Sequence, residues 1–530
     1  MRKNGILIFG DSSVDATYAQ FATAGTGWGK GFNSMLSIQS PQTLASGSSL
    51  AVGTAVAGPG EIVFGSQSLL MVNASAAAGE NAALDGSGNL VAETGAKLYI
   101  ANANAGTRYH LFKGFDYEID ATAWRDTNLL NNRLVVGEAT YDGDSLILAF
   151  TPKEDVASLY PVAIQNAVSH MAENQLVDND SPAAVVRFLS RAMDPLYLED
   201  GAVVAVIDSG AQIAYAGGVQ TSTFAVTQAA SKAVQDRLAQ PPEVDKGNGL
   251  WAKALYGDNH VQGLGAGALK IGNRSQFGGL MVGLDGSLAG ASGVWRGGAA
   301  IDAGSGSARS RQDFSHTKND YDFWGATLYG SWTAGQADIL GEWRYSQVRN
   351  DIDQSVPSSL GLDGKLKADV DSKVIRAGLT GQYRLDNGSF WFTPYAGFRF
   401  TSLWLDGFDT KLKGDRVFHT DRSRQNIWQF PVGLRAGTVF GTASGWRWKP
   451  KVDVALVPVA GDRSARFDVA MAGWSVTDRL DRPVMDDFYV DATFGVTAEK
   501  DNFLFSLNMG VQSSSHQTWQ GLQAEVGYRF

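Results

Sequence analysis

The residues best suited to nucleophilic chemistry lie near the start of the chain, in Phe9-Gly-Asp-Ser12, with Asp15 close behind. A serine nucleophile needs a base that takes its proton and a third group that orients the base, and an Asp-x-x-His segment can supply both. The only such segment is Asp313-Phe-Ser-His316, in the second half of the chain, where the sequence pattern is different. We therefore expect no enzymatic activity.

Metal ligands do not cluster either. Asp178-Asn-Asp180 and Asp351-Ile-Asp353 lack the twelve-residue spacing of a calcium loop, and we expect both to be solvated turns. The formal net charge of −10 argues against a nucleic-acid partner. The sequence predicts no metal and no cofactor, since no two of the six histidines stand three or four residues apart: His110, His170, His260, His316, His419 and His516.

The elements that dominate the chain are amphipathic strands, and the last nine residues show the pattern best. Leu522, Ala524, Val526, Tyr528 and Phe530 alternate with polar or small residues. Alternate side chains of a strand point to opposite faces. An apolar outer face and a polar inner face are typical of a transmembrane β-barrel strand, although the edge strand of a soluble sandwich alternates in the same way.

The same alternation recurs back to about residue 249, in roughly twelve segments of about ten residues. Trp, Phe and Tyr crowd the apolar faces near the segment ends, as in the aromatic girdles of membrane barrels. This pattern favours a closed antiparallel barrel over 246–530, with a soluble β domain as the alternative. The alternation predicts charges that face the lumen at Asp338, Glu342, Arg344, Arg376, Arg399, Arg435, Asp491, Glu525 and Arg529.

A helical linker is predicted at 156–245, before the barrel. Its pieces are Val156–Gln175, a segment opened by Ser181-Pro182, and Thr221–Ala239. The last piece is rich in small residues and would be about 28 Å long, close to the ~25 Å apolar band of a barrel. We predict that 221–239 is a pore helix, with an ordinary surface linker as the alternative. Its candidate polar contacts are Lys232, Asp236 and Arg237.

Residues 1–155 have short aliphatic clusters separated by Gly, Ser, Ala and Asn. Clusters of this length and spacing are typical of the rungs of a parallel β-solenoid, in which each rung buries its face on its neighbours. A low-complexity linker is the alternative. Closing strands are expected over Leu129–Phe150, around Asp142-Gly-Asp144. The clusters are Leu50–Val52, Ile62–Phe64, Leu69–Val72, Leu90–Val91 and Leu98–Ile100.

The order of solenoid, helical linker, strands and terminal aromatic residue resembles a classical, type Va autotransporter of the type V secretion class. The more specific segments are Ala96–Gly106, Leu250-Trp-Ala-Lys253 and Val526-Gly-Tyr-Arg-Phe530. The resemblance implies an all-β-dominated fold: a 12-stranded antiparallel transmembrane barrel with a pore helix, after a short right-handed, pertactin-like parallel β-helix.

The resemblance also implies a function. The barrel would sit in the bacterial outer membrane and move its own passenger to the cell surface. The passenger would act as an adhesin or interaction stalk for an unknown surface ligand. Implied partners are outer-membrane lipid, periplasmic chaperones and a barrel-assembly machinery that recognises Val526, Tyr528 and Phe530.

Some relatives cleave themselves at an Asn-Asn pair in the pore helix. Residues 221–239 contain no Asn, and Asn131-Asn132 lies in the passenger, so we expect the passenger to stay attached. Two alternatives remain. One is a porin-like channel with a periplasmic N-terminal region. The other is a surface esterase, because Phe9–Ser12 resembles the nucleophile block of GDSL esterases.

Export requires a signal sequence. Met1-Arg-Lys is a basic start, but the apolar run Ile6–Phe9 is too short for a signal peptide. We expect a signal sequence and further passenger residues to precede Met1 in the natural protein.

Overall fold

The computed structural model describes residues 6–9, 34–53, 55–101, 103, 106–119, 135–141, 145–152, 154, 158, 164–174, 188, 201–240, 248–266, 269–314, 316–360, 362, 364–388, 390–472 and 476–530. The chain forms two compact units. One comprises residues 1–204, 357–363 and 471–476, and the other comprises 205–356, 364–470 and 477–530.

Short strands build the first unit. Their bounds are β1 Ile6–Phe9, β2 Ser34–Ile38, β3 Gln42–Thr43, β4 Leu50–Val52, β5 Glu61–Phe64, β6 Ser68–Asn73, β7 Ala82–Asp85, β8 Asn89–Ala92, β9 Lys97–Ala101, β10 Arg108–Lys113, β11 Asp116–Ile119, β12 Val135–Tyr141 and β13 Ser145–Pro152.

Most of these strands pair in parallel and in register. In the sheet β1-β2-β6-β9, Leu36 pairs with Leu70 and Leu70 with Leu98, and all three side chains are fully buried. Each apolar cluster predicted from the sequence lies on one of these strands. The stack ends in antiparallel pairs of β13 with β10 and β12. Repeated aliphatic columns of this kind bury each strand on its neighbours.

The helices are α1 Ala74–Ala77, α2 Gln165–Asn174, α3 Gly201–Ala211, α4 Ile213–Ala216 and α5 Val219–Leu238. Helix α5 matches the predicted pore helix to within two residues at each end. Helix α2 lies inside the predicted segment 156–175, while the predicted helix after Ser181-Pro182 falls outside the described residues except for Phe188. None of the described helices has the length and the apolar character needed to cross a membrane.

The second unit contains a closed barrel of 12 antiparallel strands, some of them interrupted. Their bounds are β14 Asn248–Ala266, β15 Leu269–Gly290, β16 Gly293–Gln312, β17 Thr317–Ala334, β18 Ala337–Ser355, β19 Lys365–Tyr383 with β20 Leu385–Asn387, β21 Phe390–Leu405 with β22 Phe408–Leu412, β23 Asp415–Thr420 with β24 Ser423–Gln429, β25 Val432–Thr438 and β26 Phe440–Gly441, β27 Arg447–Gly461 with β28 Ser464–Met471, β29 Thr477–Pro483 with β30 Phe488–Lys500, β31 Phe503–Ser513, and β32 Gln517–Arg529.

The first and last barrel strands close the sheet. β14 pairs antiparallel with β32 from Gly249 opposite Arg529 to Val261 opposite Gln517. Both barrel termini, together with two-residue turns such as 291–292, 335–336 and 501–502, lie at one end, which we call the terminus end. The opposite end, with longer connections such as 356–364, is the loop end.

Alternate residues of the barrel strands face outward, which confirms the predicted periodicity. On β32, Leu522 and Val526 are 43% and 51% exposed, whereas Glu525 on the inner face is 2% exposed. The strands are longer than predicted, up to 22 residues in β15. Their loop-end extensions carry charged outer faces. The interpretation of Asp351-Ile-Asp353 as a turn is wrong, because both carboxylates lie on the outer face of such an extension in β18.

Inward-facing aromatic rings pack over glycines of the neighbouring strand. The buried Trp251 ring covers Gly283, and the Tyr395 ring covers Gly433. A Cβ at either glycine would overlap the ring, which has no room to move inside the filled barrel. These contacts fix the strand register on the inner face of the barrel, because each ring fits only opposite a residue that has no Cβ.

Replacing Gly283 with valine should therefore destabilise the folded barrel by about 1–3 kcal/mol through overpacking. The measurement is the unfolding midpoint in detergent, read from heat-modifiable electrophoretic migration. Gly297→Val is the matched control, since a Cβ at Gly297 has no atom within 4 Å. Equal midpoints for the two variants would contradict this role of the ring contacts.

Candidate functional site

Helix α5 lies inside the barrel. Of its 20 residues, all but Lys232 and Gln235 are buried, and it touches strands on several sides of the wall. At 1.5 Å per residue it spans about 30 Å, which matches the height of a barrel's apolar band. A barrel of twelve strands has a lumen that is wider than in the filled small barrels and narrower than in the open porins. A helix of mostly small side chains is slim enough to fit a lumen of this width.

Glycine fixes the point where the chain turns into α5. Gly218 has φ +68, a left-handed conformation that suits glycine. A side chain there would also overlap Asn273 of the barrel wall. The Thr221 hydroxyl donates to the Gly218 carbonyl at 3.0 Å. This junction seats the start of α5 at the loop end.

The preceding helices also fill the lumen, which the sequence did not predict. The Gln212 amide donates to Asp208 at 2.8 Å, and its oxygen accepts a hydrogen bond from Arg482 at 2.8 Å. The Tyr215 hydroxyl donates to the Pro483 carbonyl at 2.7 Å, and Gln354 donates to the Val206 carbonyl at 2.8 Å. From Ala205 onward, α3, α4 and α5 form one continuous occupant of the barrel.

One side of α5 is apolar and packs on aromatic residues of the wall. Its small residues face buried rings because alanine allows the helix to approach the sheet closely. The first cluster joins Ala225, Val226 and Ala229 to Phe277, Tyr321, Phe323 and Trp519. The second joins Ala230, Ala233, Val234 and Leu238 to Trp251, Leu255, Met281 and Tyr329.

A buried charge cluster ties the end of α5 to the terminus end. Arg237 donates twice to Asp285, at 2.9 and 3.1 Å, and once to Glu525 at 2.9 Å. Lys253 lies 3.1 Å from Glu525 and donates to the Ala233 carbonyl. Arg296 donates to Asp285 and to the Arg237 carbonyl, both at 2.9 Å. Three cations therefore surround two carboxylates and the electronegative C-terminus of the helix.

A second polar cluster lies one turn earlier on α5. Ser231 is hydrogen-bonded to Glu342 and accepts from Arg376 at 3.1 Å. Gln235 donates to Glu342 at 2.9 Å and accepts from Arg399 at 2.7 Å. Arg376 and Glu342 are also 3.5 Å apart. Three of the predicted lumen charges thus meet the same two helix residues.

The remaining predicted helix residues bind charges across the lumen. Lys232 is paired with Asp491, and Asp236 accepts from Lys451 at 3.0 Å. Beyond Leu238, at the terminus end, a cavity of about 390 Å³ opens between the helix and the wall. Arg384, Lys449 and Lys451 are among its lining residues.

Four predicted residues make contacts within the wall. Arg344 is fully buried and donates to Asp302 at 2.9 Å, and Arg435 pairs with Asp453 at 2.9 Å. Asp338 accepts from Gln382 at 2.8 Å. Arg529 lies 3.8 Å from Glu499. The predicted assembly-signal residues Val526, Tyr528 and Phe530 are exposed on the outer face at the closing strand.

Several residues of this site were absent from the sequence prediction. All of them stand at inward positions of their strands, so the alternation that selected the predicted charges could have found them. The missed residues are Lys253, Asp285, Arg296, Asp302, Lys451 and Asp453.

The residues considered for catalysis do not form a site. Asp313 and His316 lie at the turn between β16 and β17, where Asp313 accepts from the Lys270 backbone at 2.7 Å. Ser12, Asp15 and Asn131-Asn132 fall outside the described residues, as do Asp142–Asp144 and Asp178–Asp180. Within the described ranges, no group of three His, Asp or Glu side chains is arranged to hold a metal ion.

Replacing Arg237 with methionine should remove three charge-assisted hydrogen bonds, while Asp285 keeps Arg296 and Glu525 keeps Lys253 as partners, and cost about 1–3 kcal/mol. We expect a lower unfolding midpoint and a larger single-channel conductance in planar bilayers, because α5 loses its anchor. Arg466→Met, which removes an exposed partner of Asp481, is the control. Wild-type conductance and stability in Arg237→Met would contradict the anchoring role.

A sequence model of the family described as "Autotransporter beta-domain" matches residues 250–510. No curated protein matches the chain. Among solved structures, the translocator domain of the autotransporter NalP from Neisseria meningitidis is similar, with 14% identity and a TM-score of 0.45. The alignment covers 60% of this chain and 99% of that one.

Two further solved structures are similar at the same level. The β-domain of the Bordetella autotransporter BrkA has 13% identity and a TM-score of 0.41, over 54% of this chain and 100% of that one. The transport unit of AIDA-I from Escherichia coli has 13% identity and a TM-score of 0.39, over 58% and 98%. On this family match, the barrel strands within residues 250–510 belong to the autotransporter β-domain family, whose barrels lie in the outer membrane.

Proposed function

We propose that the barrel translocates the N-terminal part of its own chain and anchors it at the cell surface. The observation that carries the proposal is the path of α3 to α5 through the lumen. Gly218 lies beside Asn273 at the loop end, and Arg237 lies beside Asp285 and Glu525 at the terminus end. Short turns mark the periplasmic side of outer-membrane barrels. The chain thus enters the lumen from the cell exterior, and α5 ends at the periplasmic side.

The proposed passenger is a pertactin-like β-helical stalk. Three sheets of parallel strands in residues 34–119 support this, because their strands stack in register and bury apolar side chains such as Leu36, Leu84 and Leu90. We propose that it binds a partner at the surface and does not catalyse a reaction. In support, the only Asp-x-x-His of the chain lies in a barrel turn. The proposal includes no cofactor and no nucleic acid.

The passenger is proposed to stay attached. Helix α5 has no Asn that could cyclise and cut the chain, and its charge clusters hold it in the lumen. The same filled lumen disfavours a porin-like channel, since α5 occupies the path that a solute would take. Assembly is proposed to depend on periplasmic chaperones and an outer-membrane assembly machinery that recognises Val526, Tyr528 and Phe530.

Surface exposure of the passenger can be tested with protease added to intact cells. We expect residues 34–152 to be digested while the barrel band persists, because lipid and the closed sheet protect it. Cells opened to the periplasm provide the reference digestion. Protection of 34–152 in intact cells, with digestion after opening, would replace the translocator proposal with the porin-like alternative.

The terminal aromatic residue offers a test of assembly. Phe530→Ser should lower the amount of folded barrel in the outer membrane, while barrel refolded in detergent keeps nearly its wild-type midpoint, since the ring is 68% exposed. Phe390→Ser removes a ring that is 59% exposed on another strand at the same end and is the control. If both variants assemble equally well, Phe530 is not part of a recognition signal.

A further inference from the structure

The outer surface of the barrel carries a line of mostly basic side chains near the loop end, which we call the basic row. Strand register places its members side by side, one from each of eight neighbouring strand segments, β14 to β19, β22 and β23. The order is His260, Arg274, Arg309, Lys318, Asp353, Lys367, Lys411 and Arg416.

The side chains of the basic row point away from the lumen. Arg309 shares the outward face of β16 with Trp295 and Ile301, and Lys318 shares that of β17 with Trp324 and Leu328. Their functional groups are therefore presented to whatever surrounds the barrel at this height.

Such a row is costly for the isolated barrel. Like charges directly opposite each other on neighbouring strands are destabilising. Arg274, Arg309 and Lys318 are consecutive in the row, and so are Lys367, Lys411 and Arg416. Two runs of three like charges therefore lie on either side of a single carboxylate, Asp353.

Carboxylates of the protein compensate only some positions. Arg274 is 2.6 Å from Asp258, and Lys318 is paired with Asp320. Lys367 lies 3.5 Å from Asp353, a carboxylate that it shares with Lys365, and Arg416 lies 3.8 Å from Asp409. In the part of the chain that the structure describes, Arg309 and Lys411 have no carboxylate within 4.0 Å. Arg309 and Lys411 therefore remain available to an external anion, although Asp320, Asp351 and Asp369 lie side by side two positions nearer the lipid on the same face.

The height of the row restricts what this anion can be. An aromatic belt ends the apolar surface toward the loop end, where the Trp324 and Tyr345 rings pack at 5.6 Å. Lys318 stands six positions beyond Trp324 on β17, which places it about 15 Å above the belt at the usual rise and tilt. That distance corresponds to the sugars of a lipid headgroup rather than to hydrocarbon.

We propose that the basic row binds the anionic headgroup sugars of a phosphorylated glycolipid in the outer leaflet. Eight neighbouring strands span about 34 Å of the circumference, so several phosphate or carboxylate groups at one height fit the row. A second copy of the barrel in the same membrane orientation would place its own basic row against this one. Repulsion between the two rows disfavours a barrel dimer at this surface. The proposal rests on the outer-membrane orientation given above.

The test compares lipid binding by the full-length protein in nanodiscs, measured by native mass spectrometry. The probes are a lipopolysaccharide truncated after its inner-core sugars and, for comparison, phosphatidylglycerol. The row variant carries Arg309→Gln, Lys367→Gln and Lys411→Gln. The control variant carries Arg463→Gln, Arg466→Gln and Arg479→Gln, which removes three exposed cations of the same unit outside the row.

We expect the row variant to bind the truncated lipopolysaccharide roughly tenfold more weakly, and the control variant to bind like wild type. Without glycolipid, the row variant should unfold at the same or a higher temperature, because repulsion is removed. The proposal would be overturned if both variants lost equal affinity for the truncated lipopolysaccharide. It would also be overturned if the wild-type protein bound phosphatidylglycerol more tightly than the truncated lipopolysaccharide. A row variant that is less stable without glycolipid and unchanged in binding would have the same consequence. Protease access to the passenger is measured separately, so failure here leaves the translocator proposal standing.

Discussion

The constraint on which this structure depends is that hydrocarbon cannot hydrogen-bond a peptide group. Each strand must therefore pair on both sides, and only a closed sheet leaves no edge in lipid. Pairing of β14 with β32 meets this requirement along thirteen consecutive positions, from Gly249 to Val261. Once the sheet is closed, its pleat directs alternate side chains to the lipid and to the lumen. Leu522 and Val526 face lipid, while Gln523 and Glu525 face a lumen that must be filled or hydrated.

The inner face uses that polarity to hold a helix. Ion pairs between exposed side chains contribute little, but a buried charge without a partner is strongly destabilising. Arg237, Asp285 and Glu525 are buried together. The wall supplies both carboxylates that pair with Arg237, and Arg237 adds a second cation to the Arg296 or Lys253 that each carboxylate already has. Alanines on the opposite side allow α5 to approach Trp251 and Phe277. The helix is thus both the plug of the barrel and part of its core.

Much of this could be predicted from the sequence, because lipid enforces a strict period of two. The alternation of side chains along each strand is enough to place Glu342, Arg376 and Glu525 on the inner face. Alternation cannot identify partners across the lumen, because contacts such as Arg237 with Asp285 depend on the rotation of α5 and on the stagger of the strands. Helices α3 and α4 were missed for a related reason. Their apolar sequence is compatible with several environments, and only the size of the lumen selects one.

The basic row could not be predicted from the sequence alone. Each of its members is an ordinary polar residue in a strand extension, and adjacency emerges only when seven registers are combined, from His260 opposite Arg274 to Lys411 opposite Arg416. The rules that govern one strand are local, whereas a surface that runs across strands is set by stagger. The features easiest to predict here are those that a single strand must satisfy alone.

A closed barrel in lipid with a filled lumen must present two different faces along every strand. The chain has no cysteine, so single nitroxide labels can be introduced along β18 from Ile339 to Arg344 and examined by electron paramagnetic resonance in liposomes. We predict that labels at 339, 341 and 343 collide readily with oxygen dissolved in lipid, while labels at 340, 342 and 344 are protected from both oxygen and a water-soluble relaxing agent. Uniform accessibility along the strand, or free access of the water-soluble agent to the even positions, would contradict the account.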